Sequence, residues 1–333
     1  MKKVFVLLTL ILAVFILSKC TKDYVVVDAH DELTPYVIET PNRFPDMPLN
    51  PDNPLTEEGI ALGRMLYYDS IVDKHSARSC ASCHEQNSAF TTFSSNALPH
   101  INLGWNNKFL WNGEIEGTFE DIMHFEVADF FEANPAKLNQ HDAYPALFKK
   151  VFNVDSITEK EMSYALAQFM RTQISSNSKW DKYLRSEIGL TPSELNGLGI
   201  YFSEKGDCFH CHGTQLFTDN DFHNTGLDGP VEDGRMKVTN NPLDKGKFKS
   251  PTLRNIEYTA PYMHDGRFKT LEEVIDFYSE GVVYNPTIDP LMKQVHQGGI
   301  RLKPQEKQDL IAFLKTLTDT DFLNNPALSN PFK

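Results

Sequence analysis

The chain has 333 residues and a formal net charge of −13, with 45 acidic against 32 basic side chains. That length allows two domains with sizeable cores, and the acidic balance argues against a nucleic-acid partner while suiting a basic protein one. Of five cysteines, four stand in two tight pairs and the fifth is Cys20, which leaves none for a disulfide.

At the N-terminus, Lys2 and Lys3 precede an apolar run from Val4 to Leu17, the pattern of an export signal. The run is short for a bilayer span, and no later segment could make one. It ends at Leu17-Ser18-Lys19-Cys20, which resembles a lipoprotein box except that Lys19 replaces the usual small residue. The expectation is a signal over residues 1–20 and a chain lipid-anchored at Cys20, facing the periplasm or cell envelope. Residues 21–54 carry Pro35, Pro41, Pro45, Pro48, Pro51 and Pro54, and read as a tether followed by an extended wrap.

The stretch from Thr56 to Tyr67 is helical in pattern and leads to Cys80-Ala81-Ser82-Cys83-His84. A counterpart from Thr191 to Phe202 opens with a capping box and Pro192 at the first helical position, and leads to Cys208-Phe209-His210-Cys211-His212. C-x-x-C-H is the attachment signature of c-type haem: the thiols bond the vinyl groups at one edge of the ring, and the histidine reaches the iron. Two complete copies, with no further Cys pair to finish a zinc site, point to two covalently bound haems on His84 and His212. They also imply assembly outside the cytoplasm.

Between the motifs, Thr158 to Glu161 is a capping box followed by Met162, Ala165, Leu166, Phe169 and Met170 at helical spacing. The turn Ser175 to Ser178 marks a junction between domains expected at 55–175 and 176–333. Residues 217–249 are rich in Asp, Asn and Gly without periodicity, a segment length that is usually functional or ligand-wrapping. Thr270 to Glu273 caps a helix whose Leu271, Val274, Ile275 and Tyr278 share a face, and Pro304 to Leu317 forms a terminal amphipathic helix. No strand pattern competes. The fold class read here is mainly α, with two tandem cytochrome-c-like haem domains.

These residues carry a resemblance to a family. Stretches 62–69 (LGRMLYYD), 79–84 (SCASCH), 109–113 (FLWNG), 251–255 (PTLRN), 259–266 (TAPYMHDG) and 271–278 (LEEVIDFY) are similar to the bacterial di-haem cytochrome c peroxidases and their relative in methylamine utilisation. The resemblance implies a peroxide-meeting haem in the first domain and an electron-transfer haem in the second, with Trp111 relaying between them. It puts the distal catalytic carboxylate on Glu132, where Phe130 and Phe131 would desolvate it and raise its pKa, with Glu126 as second candidate. Family members often place a removable distal histidine in the loop after the first motif. Here that loop is short, and His100 reads as structural. Tyr278 falls at the sixth-ligand position of the second haem, with Met263 the alternative. A calcium ion between the haems would take the Asn96 side chain and the carbonyls of Thr259 and Pro261.

The resulting expectation is an oxidoreductase that reduces hydrogen peroxide with electrons from a small c-type cytochrome or cupredoxin. A di-haem oxidase of a protein or organic substrate and a non-enzymatic two-haem electron carrier are the alternatives. A homodimer is compatible with each.

Overall fold

The structure is a computed structural model that describes residues 32–229 and 231–332. The expected export signal and the Cys20 anchor lie outside those residues. Six helices carry the architecture: α1 (Glu57–Tyr68), α2 (Phe119–Phe125), α3 (Glu159–Met170), α4 (Pro192–Tyr201), α5 (Leu271–Asp276) and α6 (Pro304–Lys315). A further nine-residue helix, Tyr144–Phe152, and shorter helical turns connect them.

The two halves repeat one design. α1 crosses α3 in the first, and α4 crosses α6 in the second. Each crossing is made at a glycine. A Cβ on Gly63 would lie 1.9 Å from the Ala165 carbonyl oxygen, and one on Gly197 would lie 1.9 Å from that of Asp309. Only hydrogen at these two α-carbons lets the backbones approach so closely. The caps that start the helices are those written in the sequence. Thr158, Thr191 and Thr270 each accept a hydrogen bond from a first-turn N–H, with a glutamate three residues on completing the box.

Two cores result. The first gathers Leu62, Leu66 and Tyr67 from α1 with Ala165, Leu166 and Phe169 from α3. The second gathers Tyr201 from α4 with Leu310, Phe313 and Leu314 from α6 around Trp180. The C-terminal turns depart from the expected 176–333 domain, since Phe322, Leu323 and Leu328 pack into the first core. They are held there by Arg64 Nε donating to the Ser329 carbonyl (2.7 Å) and by the Tyr68 hydroxyl donating to that of Leu328 (2.6 Å).

At the junction, the buried Ser175 is gripped from both sides. Its N–H donates to Asn102 Oδ1 (2.8 Å), and its hydroxyl accepts from Asn255 Nδ2 (2.9 Å). Asn102 and Asn255 both adopt the left-handed conformation, each with φ of 57°, and so mark equivalent corners of the two halves.

Two small antiparallel pairs, unforeseen from the sequence, position the centre. β1 (Lys108–Phe109) pairs with β2 (Ile115–Glu116), and β3 (Phe222–His223) pairs with β4 (Phe248–Lys249). The turn between β1 and β2 carries Trp111, whose carbonyl accepts from the Lys249 N–H at 2.8 Å. That bond joins the first half to the second.

Candidate active site

Both cysteine motifs wind into a tight turn that puts the two thiols and the histidine on one side. In the first, the His84 N–H donates to the Cys80 carbonyl (3.0 Å), and in the second the His212 N–H donates to that of Cys208 (3.0 Å). His84 Nδ1 donates to the Phe90 carbonyl (2.8 Å) and His212 Nδ1 to that of Phe217 (3.0 Å). This fixes the tautomer and leaves each Nε2 lone pair for a metal. Burial pushes the His84 imidazole down to about 4 and lowers His212 as well, so both rings are neutral donors. All four motif thiols are free and partly buried.

Beside the second motif lies a cavity of about 240 Å³, walled by apolar side chains and lined by Cys208, Cys211, His212, Trp111, Met263 and Tyr278. Neutral imidazoles, paired thiols and this apolar cavity fit a c-type haem in the second half. The matching donor set fits one in the first.

A shared device brings one further side chain to each site. α2 continues into a π turn, Glu126–Phe130, and α5 into another, Phe277–Gly281. Thr118 and Thr270 cap these helices, and Glu126 and Tyr278 each stand eight residues beyond the cap. Such wide turns push a side chain out of the helical register. Tyr278 accordingly enters the second cavity, where burial raises its phenol. Met263, with φ of 70°, lines the same cavity. Glu126 faces Cys80 of the first motif and has no hydrogen-bond or ion-pair partner among the described residues. Burial raises its carboxyl to about 7.

Glu132 is placed elsewhere. Its side chain is 62% exposed and ion-paired with Lys74 at 2.5 Å, on a residue with φ of 44°. The Lys74 ammonium holds its carboxyl below the ordinary range. The two phenylalanines do not desolvate it, because Phe130 itself is exposed while Phe131 turns into the first core. The carboxylate that the structure brings to the first motif is therefore that of Glu126, not Glu132.

His100 stacks on His84 with ring centroids 3.4 Å apart and planes at 17°. It lies face to face with the His84 imidazole. Trp111 donates from Nε1 to the Asn96 carbonyl (3.3 Å) while lining the second cavity, so it touches both halves.

Asn96, with φ of 49°, donates from Nδ2 to the carbonyls of Met263 (3.1 Å) and His264 (2.9 Å). Asn96 and Pro261 meet across Gly266, where a Cβ would lie 3.0 and 3.1 Å from their side chains. Thr259 is buried two residues before Pro261. The Asn96 side chain thus joins the 259–266 loop of the second half through its amide N–H groups.

Two site residues escaped the sequence reading. His223 donates to Asp219 (2.8 Å) and Asp289 (2.7 Å) beside Cys211. Burial works against its charge, yet the two carboxylates hold it up at about 12. Lys249 stands buried in the cavity wall, and burial lowers its ammonium to about 8. Both belong to the aperiodic 217–249 segment, whose absence of pattern was the only signal of its role as cavity wall.

The family model for di-haem cytochrome c peroxidases matches residues 57–188. The methylamine utilization protein MauG of Methylorubrum extorquens is 30% identical over 290 residues, covering 80% of this chain and 79% of that protein. The cytochrome-c peroxidase IdrP1 of Pseudomonas sp. (strain SCT) is 29% identical over 359 residues, covering 92% and 91%. A solved MauG-like protein associated with microbial copper homeostasis superposes with a TM-score of 0.81 at 32% identity, over 90% of this chain and all of that one. Fold and site together define a di-haem oxidoreductase built from two cytochrome-c-like domains. The chain belongs to the di-haem cytochrome c peroxidase and MauG family, whose name implies two haem c groups.

Proposed function

We propose that the protein reduces hydrogen peroxide to water, taking two electrons from a small c-type cytochrome or cupredoxin and two protons from solvent. The observation that carries this reading is Glu126, a half-buried carboxyl whose side chain has no partner among the described residues and which faces the first cysteine motif. A carboxyl raised to about 7 suits the task, because it can take the proton from one peroxide oxygen and return it to the other at neutral pH. The bound haems would supply the redox-active iron, held by His84 and His212. Trp111 touches both halves and would carry electrons between them, splitting one long transfer into two shorter ones. Tyr278, with Met263 as alternative, would complete the second site, and Asn96, Thr259 and Pro261 would hold a calcium ion between the sites. The two motifs suit a periplasmic or cell-envelope location, with Cys20 as lipid anchor.

A second reading, oxidation of a protein or organic substrate, is favoured by Tyr278 in the second cavity. A phenolate stabilises ferric iron and would let that site share oxidising equivalents instead of only importing electrons. Steady-state peroxide consumption, with and without a reduced c-type cytochrome, separates the readings. Donor-dependent consumption supports the peroxidase, and absence of consumption with a loaded enzyme overturns it.

A further inference from the structure

The first half holds a polar pair that the second half lacks. The buried Tyr67 hydroxyl lies 3.1 Å from His100 Nδ1, and His100 in turn stacks at 3.4 Å on His84. The two halves can be put in register by their backbone bonds. The His100 N–H donates to the carbonyl of Phe90, and the Leu253 N–H donates to that of Phe217, the same two carbonyls that orient His84 and His212. Leu253 thus occupies in the second half the place of His100 in the first. The tyrosine itself is present in both, and each hydroxyl reaches the carbonyl of its motif's histidine, Tyr67 that of His84 at 3.3 Å and Tyr201 that of His212 at 2.8 Å. Tyr67 has His100 Nδ1 as a second, nearer acceptor, whereas the leucine offers Tyr201 none. A tyrosine and a base side by side against the iron ligand of one haem alone are more than packing requires.

We propose that Tyr67 and His100 are a proton-coupled redox pair serving the first haem. The inference rests on the peroxidase reading, because peroxide is the oxidant. Reduction of one peroxide to two waters leaves two oxidising equivalents on the enzyme. Tyr67 answers one of them: an electron passes from the phenol to the first haem, the O–H bond breaks, and the proton moves to His100 Nδ1. The products are a neutral tyrosyl radical and an imidazolium. An electron from the donor protein and return of the same proton restore the phenol.

A phenol is a far weaker acid than an imidazolium, so in the resting pair the proton stays on oxygen, 3.1 Å from His100 Nδ1. Only oxidation moves it. Without an acceptor, an oxidised phenol would leave a cation stranded in an apolar core, and the hydrogen bond to His100 removes that cost. Tyr68 packs against Tyr67 with centroids 5.2 Å apart and is only half-buried. It offers the next station toward the surface.

The test uses the full chain loaded with both haems. It is mixed with stoichiometric hydrogen peroxide in the absence of donor, frozen, and examined by electron paramagnetic resonance, with haem absorbance followed in parallel. The result expected is a tyrosyl signal that narrows on ring deuteration of tyrosine, is lost in Tyr67→Phe and persists in Tyr201→Phe. His100→Leu, which installs the second half's residue, should lose it while keeping both haems. Haem oxidation by peroxide with no tyrosyl signal, or a signal that survives both Tyr67→Phe and His100→Leu, overturns this inference and leaves the peroxidase reading standing. A haem spectrum that peroxide does not change overturns both.

Discussion

Glu126 and Tyr278 occupy the same place in the two halves of the molecule: each stands eight residues beyond a capping threonine, where its helix opens into a π turn. One frame thus presents a carboxylic acid to the first cysteine motif and a phenol to the second. A carboxyl near neutrality exchanges protons, whereas a phenol becomes a ligand for ferric iron once its proton is lost. The division of labour proposed for the halves rests in part on that difference in side chain.

The first consequence concerns pH. Burial raises the Glu126 carboxyl to about 7, and it can take a proton from peroxide only when ionised. The kcat/KM for peroxide should therefore be low below that value and rise as pH passes through about 7. In Glu126→Gln the residual rate should show no such rise. A pH–rate profile of both proteins checks this.

At the second site, Tyr278→Phe should change the low-spin ferric spectrum of the second haem while leaving peroxide binding at the first intact. Met263→Leu should leave that spectrum unchanged. Absorbance and magnetic resonance spectra of the two variants decide between the residues, and the reverse pattern would make Met263 the partner of the second iron.

The α4–α6 crossing predicts opposite effects from two similar substitutions two residues apart. Gly197→Ala forces a methyl against the Asp309 carbonyl and should destabilise the fold by about 1–3 kcal/mol. Nothing lies within 4 Å of a Cβ at Gly199, so Gly199→Ala should stabilise α4 by up to about 1 kcal/mol through helix propensity. Denaturant unfolding of the two variants measures both signs.

Buried and exposed ion pairs should also part company. Arg254, 1% exposed, meets both Asp181 oxygens at 2.9 Å. Arg254→Met strands that carboxylate in the interior and should cost about 3–5 kcal/mol. Asp155 pairs with Lys149 at 2.8 Å on the open surface, where screening leaves little to lose. Asp155→Asn should not move the unfolding midpoint measurably.

Much of this architecture is legible in the sequence. The two C-x-x-C-H motifs, the capping boxes at Thr158, Thr191 and Thr270, and the junction at Ser175 all rest on local chemistry that short stretches record. Counting forward from Trp111 to Glu132 ignores where α2 begins. The Thr118 cap sets the register, and the π turn then takes Glu126 inward and leaves Glu132 beyond the helix on the surface. The matching intervals from Thr118 to Glu126 and from Thr270 to Tyr278 were a usable signal that only the comparison of the two halves reveals. The two-residue strands and the return of Phe322 and Leu328 to the first core depend on tertiary contacts that no local pattern encodes.

The central claim is that Glu126 performs the proton transfer in peroxide cleavage, and single-turnover reaction of the loaded enzyme with hydrogen peroxide tests it most directly. Glu126→Gln should keep both haem spectra while the reaction slows by at least about a hundredfold, the scale of lost general acid–base catalysis. Glu132→Gln, altering a surface ion pair, should react at the parent rate. A Glu126→Gln enzyme that reacts as fast as the parent, with Glu132→Gln the slow one, would contradict the account.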